Sequence, residues 1–69
     1  MILDHEKLHR DMLIKLRKEG KTQIQGAKEM GLASSIFQRV WSYKDLKLNT
    51  YLALVSWLKK DVSFYLIKQ

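Results

Sequence analysis

The sequence has no cysteine, no proline and only three glycines in 69 residues. Without cysteine there is neither a disulfide nor a thiolate metal site, so stability has to come from an apolar core. Without proline, and with glycine confined to Gly20, Gly26 and Gly31, the backbone interruptions are few and the composition favours helices. A long apolar run is missing too: Tyr51–Val55 is the longest, far short of the ~20 residues of a membrane-spanning helix. No charged-then-apolar leader opens the chain. These absences point to a soluble, intracellular protein with no membrane partner.

Acid is scarce as well. Seven acidic residues face thirteen basic ones, leaving a formal charge of +6 on 69 residues, and polyanions are the natural partners of such a chain. Between Glu29 and Asp45 there is no acidic side chain, whereas Arg39 and Lys44 lie inside that window. That segment can approach phosphate without repulsion.

What is present is an apolar content of 46%, enough for one small core. A chain this short buries only about 60% of the surface its unfolded form exposes, so residues 1–69 are expected to form one domain. From Asp4, an N-cap candidate, Leu8, Met12, Leu13 and Leu16 recur at helical spacing, and Lys15, Arg17 and Lys18 crowd the last turn before Gly20. A first helix over about 5–18 follows. Thr22-Gln23-Ile24-Gln25 has the form of a capping box, opening a second helix that ends near Met30. After Gly31-Leu32-Ala33 the pattern resumes with Phe37, Val40 and Trp41, predicting a third helix over about 34–42. Asn49 is expected to cap a fourth helix facing inward through Leu52, Val55 and Leu58, and Asp61 to cap a last turn or short helix over 62–67. The predicted class is all-α, with four to five helices.

Two short helices separated by a glycine-containing turn of three residues are the sequence form of a helix-turn-helix, whose second helix enters the major groove of DNA. Its outer face here would carry Ser34, Ser35, Gln38, Arg39 and Ser42, all hydrogen-bond donors, with Phe37, Val40 and Trp41 turned inward. Arg39 suits the paired acceptors of guanine and glutamine those of adenine, so Arg39 is the lead candidate for reading sequence.

The stretch from Thr22 to Val40 resembles the phage repressor and Cro-like helix-turn-helix family. The resemblance rests on Thr22-Gln23, Ala27 and Gly31, and continues through Leu48-Asn49-Thr50-Tyr51-Leu52 with Leu54, Val55 and Leu58 in register, covering about residues 8–66. It implies a compact lambda-repressor-like DNA-binding domain with its helix-turn-helix over about 22–42. It also implies base contacts from Ser34, Ser35 and Arg39, and phosphate contacts from Gln23 with Thr22 beside it and from Tyr43, Lys44 and Lys47 in the following loop. Three positions depart from the family pattern. Gly26 stands where a buried leucine is usual, leaving a gap that Phe37 is expected to fill. Ala33 stands where a Ser/Thr cap is usual, dividing Ser34 between capping and DNA contact. Trp41 replaces a common glutamate. Ile36, where a small polar residue is commoner, either meets a thymine methyl or packs.

His5 and His9, four residues apart, could share a helix face, but zinc needs three or four ligands and nothing in the sequence completes the set, so solvent-exposed histidines are expected and no metal or cofactor. No nucleophile arrangement is recognisable, and no enzyme activity is expected. The cluster Lys15, Arg17, Lys18 and Lys21 reads either as a DNA-facing patch or as a solvated helix end. Trp57, Phe64, Tyr65, Leu66 and Ile67 exceed what a short terminal element needs, so the tail over about 57–69 either folds back on the first helix or forms a homodimer contact through Trp57, Phe64, Tyr65 and Leu66. The expected function is a sequence-specific, double-stranded-DNA-binding regulator, a phage or mobile-element repressor acting by operator occupancy. The alternative is a protein-interaction module on the same scaffold, an antitoxin or anti-repressor, with a regulatory protein as partner.

Overall fold

A computed structural model describes residues 2–43 and 46–67 and is mostly helical, with four helices among them. Helix α1, His5–Glu19, starts where the Asp4 carboxylate accepts the Lys7 N–H at 3.0 Å and presents Leu8, Met12 and Leu16 to the core. Helix α2, Gln23–Met30, opens on the predicted capping box: Thr22 Oγ1 accepts the Gln25 N–H (3.2 Å) and Gln25 Oε1 accepts the Thr22 N–H (2.9 Å). Gly31 ends it at φ +72°, a left-handed conformation that costs glycine little, and the Leu32 N–H folds back to the Ala27 carbonyl at 2.9 Å.

Helix α3, Ile36–Trp41, is shorter than the expected 34–42, and the connection before it runs over five residues, 31–35, rather than three. Ser34 and Ser35 lie in a tight turn in which the Ile36 N–H donates to the Ala33 carbonyl (3.0 Å) and the Phe37 N–H to the Ser34 carbonyl (3.4 Å). No side chain caps α3, so the hydroxyl cap expected of Ser34 does not form. Helix α4, Leu48–Leu58, begins two residues earlier than an Asn49 cap would place it, with Lys47 in the capping position. Its inward face is Tyr51, Leu54 and Val55, with Leu52 exposed, a correction of the expected register.

The fifth helix does not form. Residues 62–65 make turns, and the chain ends its described part in β2, Leu66–Ile67, paired antiparallel with β1, Ile2–Leu3, in the register Leu3 to Leu66. A two-residue strand leaves no periodic trace in a sequence. The Asp4 N–H donates to the Tyr65 carbonyl (2.6 Å), and the fully buried Tyr65 donates its hydroxyl to Asp11 on α1 at 2.7 Å. The tail therefore folds back on α1.

One cluster joins all four helices and the tail: Leu8, Met12, Leu16, Ala27, Phe37, Val40, Leu54 and Tyr65 are at its centre. Gly26 explains how α2 reaches it. A Cβ there would meet Leu16 Cδ2 at 2.6 Å and Trp57 Cζ2 at 3.2 Å, so the volume of the usual leucine is taken by Leu16 and Trp57 and not by Phe37. Phe37 instead meets the Trp57 ring edge-on, with centroids 6.4 Å apart.

Candidate nucleic-acid interface

Helix α3 has a sharp division between its faces. Ile36, Phe37 and Val40 are buried, which settles Ile36 as a packing residue, while Ser34, Ser35, Gln38, Arg39 and Ser42 are all exposed. Because positions 38 and 39 follow the anchors at 36 and 37, the two longest polar side chains stand on adjacent sides of the outer face.

Each side opens onto a hollow. Between α3 and the start of α4 a small cavity of about 200 Å³ brings Arg39 together with Ser35, Lys47 and Thr50. Between α3 and α1 a larger groove of about 630 Å³ places Gln38 beside Gln23 and Arg17. The sequence-predicted residues from α2, α3 and the α3–α4 connection thus gather around one short helix. Thr22 and Gln23 are exposed at the opening of α2, with the Thr22 hydroxyl engaged as the cap. Lys44 lies outside the described residues.

Of the acidic groups, Glu6 borders the α1–α3 groove beside Gln38, while Glu29 and Glu19 are paired with cations. Glu29 accepts hydrogen bonds from the Lys21 ammonium and from Trp57 Nε1 (2.9 Å), which hold its carboxyl below the usual range. Glu19 is bound by Lys15 (2.8 Å) and Lys21 (2.9 Å), which pull its pKa down to about 2. Lys15 and Lys21 are consequently committed to carboxylates on a solvated surface, whereas Arg17 borders the α1–α3 groove.

Sequence reasoning missed what holds the far end of α3. His5 Nδ1 lies 3.1 Å from the Val40 carbonyl, and since a carbonyl only accepts, the ring nitrogen donates. The His5 ring stacks on Tyr43 with centroids 5.0 Å apart, and the His9 ring lies 5.0 Å from that of Trp41. The two histidines are half-buried rather than solvent-exposed, and burial lowers the His9 pKa. Their spacing of four puts successive turns of α1 against two aromatic residues at the end of α3. Trp41 itself is 59% exposed and not turned inward, with the His9 ring lying against it. Among the described residues no group of three or more metal-ligating side chains occurs.

Of the four residues expected at a dimer contact, Tyr65 is wholly inside the fold, Trp57 and Leu66 are half-buried, and only Phe64 is exposed, with the Lys7 and Lys60 ammonium groups 4.1 and 4.9 Å from its ring centroid. No helix among the described residues is long and apolar enough to cross a membrane. No family model, curated protein or solved structure matches the chain.

Proposed function

We propose that this chain is a sequence-specific DNA-binding regulator of the helix-turn-helix kind, with α2 as the supporting helix and α3 presented to the major groove. The observation that carries the reading is the outer side of α3: it has no acidic residue and sets Gln38 and Arg39 side by side, on a helix anchored by three buried side chains. A net charge of +6 supplies the phosphate attraction on which such reading depends.

In this reading Arg39 donates two hydrogen bonds to a guanine edge and Gln38 addresses the neighbouring base. Ser34 and Ser35, with no capping duty, stand at the mouth of the helix, where helix-turn-helix proteins meet bases; Ser42 closes the far end. Lys47 and Thr50, which share the hollow with Arg39, meet the phosphates on one side, and Gln23 those on the other. The protein acts by occupying its site, which excludes competing factors, and performs no chemistry on the DNA.

Selection from random-sequence duplexes, followed by mobility-shift assays at moderate salt, tests this. A reader yields an enriched motif. Arg39→Ala should weaken specific binding by about 1–3 kcal/mol and relax one base position, whereas Lys47→Ala should weaken all sequences alike and reduce the salt slope by about 1. Absence of any enriched motif would overturn the reading, and equal losses on specific and random DNA for Arg39→Ala would remove Arg39 from base recognition.

A further inference from the structure

The apolar lining of the groove between α1 and α3 is not accounted for by DNA contact. Its floor and walls are Leu13, Ile14, Phe37 and Trp41, apolar groups that gain nothing from phosphate, and Trp41 and Ile14 are 59% and 43% exposed. On a small domain a contiguous apolar hollow of this kind, walled by tryptophan, marks a place where another apolar group is received. The cations beside it are discrete. Arg10 and Arg17 border the groove seven residues apart on one helix, about 10 Å along its axis, and neither forms an ion pair among the described residues.

We propose that this groove docks a short amphipathic helix of a partner protein, with apolar anchors seated against Trp41 and Ile14 and carboxylates spaced seven residues apart facing Arg10 and Arg17. The α1 stretch from Glu6 to Arg17 is about 16 Å long and matches three turns of such a helix. A pair of guanidinium groups two turns apart finds its complement in two carboxylates with the same spacing on a parallel or antiparallel helix. A second copy of this chain is a poor occupant, because it brings another +6 of like charge to the contact. A single nucleic-acid strand needs a continuous basic track, and here the groove-lining residues between the arginines, Leu13 and Ile14, are aliphatic and Glu6 borders one end. This inference stands independently of DNA binding, although Gln23 and Gln38 border the groove as well.

The test is a selection of displayed random 16-residue peptides against the full chain, with the winner synthesised and its affinity measured. The expected winner has apolar residues at i, i+3 and i+4 and acidic residues seven apart. Its affinity should fall about tenfold or more with Trp41→Ser, with Ile14→Asp, and with Arg10→Glu combined with Arg17→Glu, while Ile24→Ser, an exposed apolar position on α2, leaves it unchanged. Circular dichroism and thermal midpoints check that each variant is folded; Ile14→Asp lies on α1 and reports the groove even if Trp41→Ser loosens α3. The proposal is overturned if no peptide is enriched, if winners are basic, or if they bind the Trp41 and Ile14 variants as tightly as the parent. A short single-stranded oligonucleotide that requires Trp41, where no peptide does, would assign the groove to nucleic acid and overturn it equally.

Discussion

The molecule has two aromatic regions that look alike in the sequence and end up opposite in the fold. At the tail, Tyr65 is 0% exposed, closing over α1 with its hydroxyl on Asp11; at the end of α3, Trp41 is 59% exposed and touches only the flank of α1 through His9. In both, a polar residue and one apolar residue precede the ring, and a second aromatic residue lies within two positions. The difference lies in what each ring finds beneath it. Tyr65 meets a carboxylate that satisfies its hydroxyl and a backbone pair, β1 with β2, that fixes its approach. Trp41 is held in place but left open. An aromatic side chain that is positioned and yet exposed is available for a partner, and one that is positioned and covered holds the fold.

The largest effect expected from this comparison is on stability. Tyr65→Ala should cost about 3–5 kcal/mol, since it removes a fully buried ring and leaves Asp11 without its donor, whereas Trp41→Ala should stay within about 0.5 kcal/mol. Chemical denaturation of both variants checks it, and similar losses would mean that the two regions are not distinguished by burial. Next in size is Gly26→Leu, which restores the residue usual in the family that the sequence resembles. It should destabilise by about 3 kcal/mol, because Leu16 and Trp57 already fill that volume and the first added carbon would lie 2.6 Å from Leu16 Cδ2. A thermal midpoint equal to that of the parent would show that Trp57 can swing away without loss.

The smallest effect is a pH dependence at the α1–α3 contact. Burial disfavours the charged form of His9, so the unfolded chain takes up the proton first as pH falls below the ordinary imidazole value near 6.5. The contribution of neutral His9 is therefore complete above that value and declines below it. Denaturation midpoints compared at about pH 7.5 and about pH 5 should show the decline, and His9→Gln should flatten it. The exposed ion pairs of Glu19 and Glu29 act in a separate window: their carboxyls are held below the usual 4.5, so their small contribution is present above that value and is lost as pH falls below it, for Glu19 towards about 2.

Local signals in the sequence were the legible ones. The Asp4 cap, the capping box at Thr22 and Gln25, the stop at Gly31 and the 3–4 spacing of Leu8, Met12 and Leu16 each involve groups within a few residues of one another, and the structure contains them all. The exposed positions 34, 35, 38, 39 and 42 were legible for the same reason, since helical period alone separates them from Phe37 and Val40. The start of α3 was not, because the turn at Ala33–Ser35 is tighter than an α-helix and carries no capping side chain to announce it.

What the sequence by itself determined is therefore the presence of four helices, the caps of α1 and α2 and the exposed polar positions of α3, all products of backbone pairing and side chains a turn apart. Tertiary structure alone decided that Tyr65 is core and Trp41 is surface, that His5 and His9 brace α3, and that Leu16 and Trp57 close over Gly26. Each of these depends on a contact between residues far apart in the chain, 54 positions in the case of Tyr65 and Asp11 and 35 for His5 and Val40. Burial is a property of where elements meet, and no local pattern of residues records that meeting.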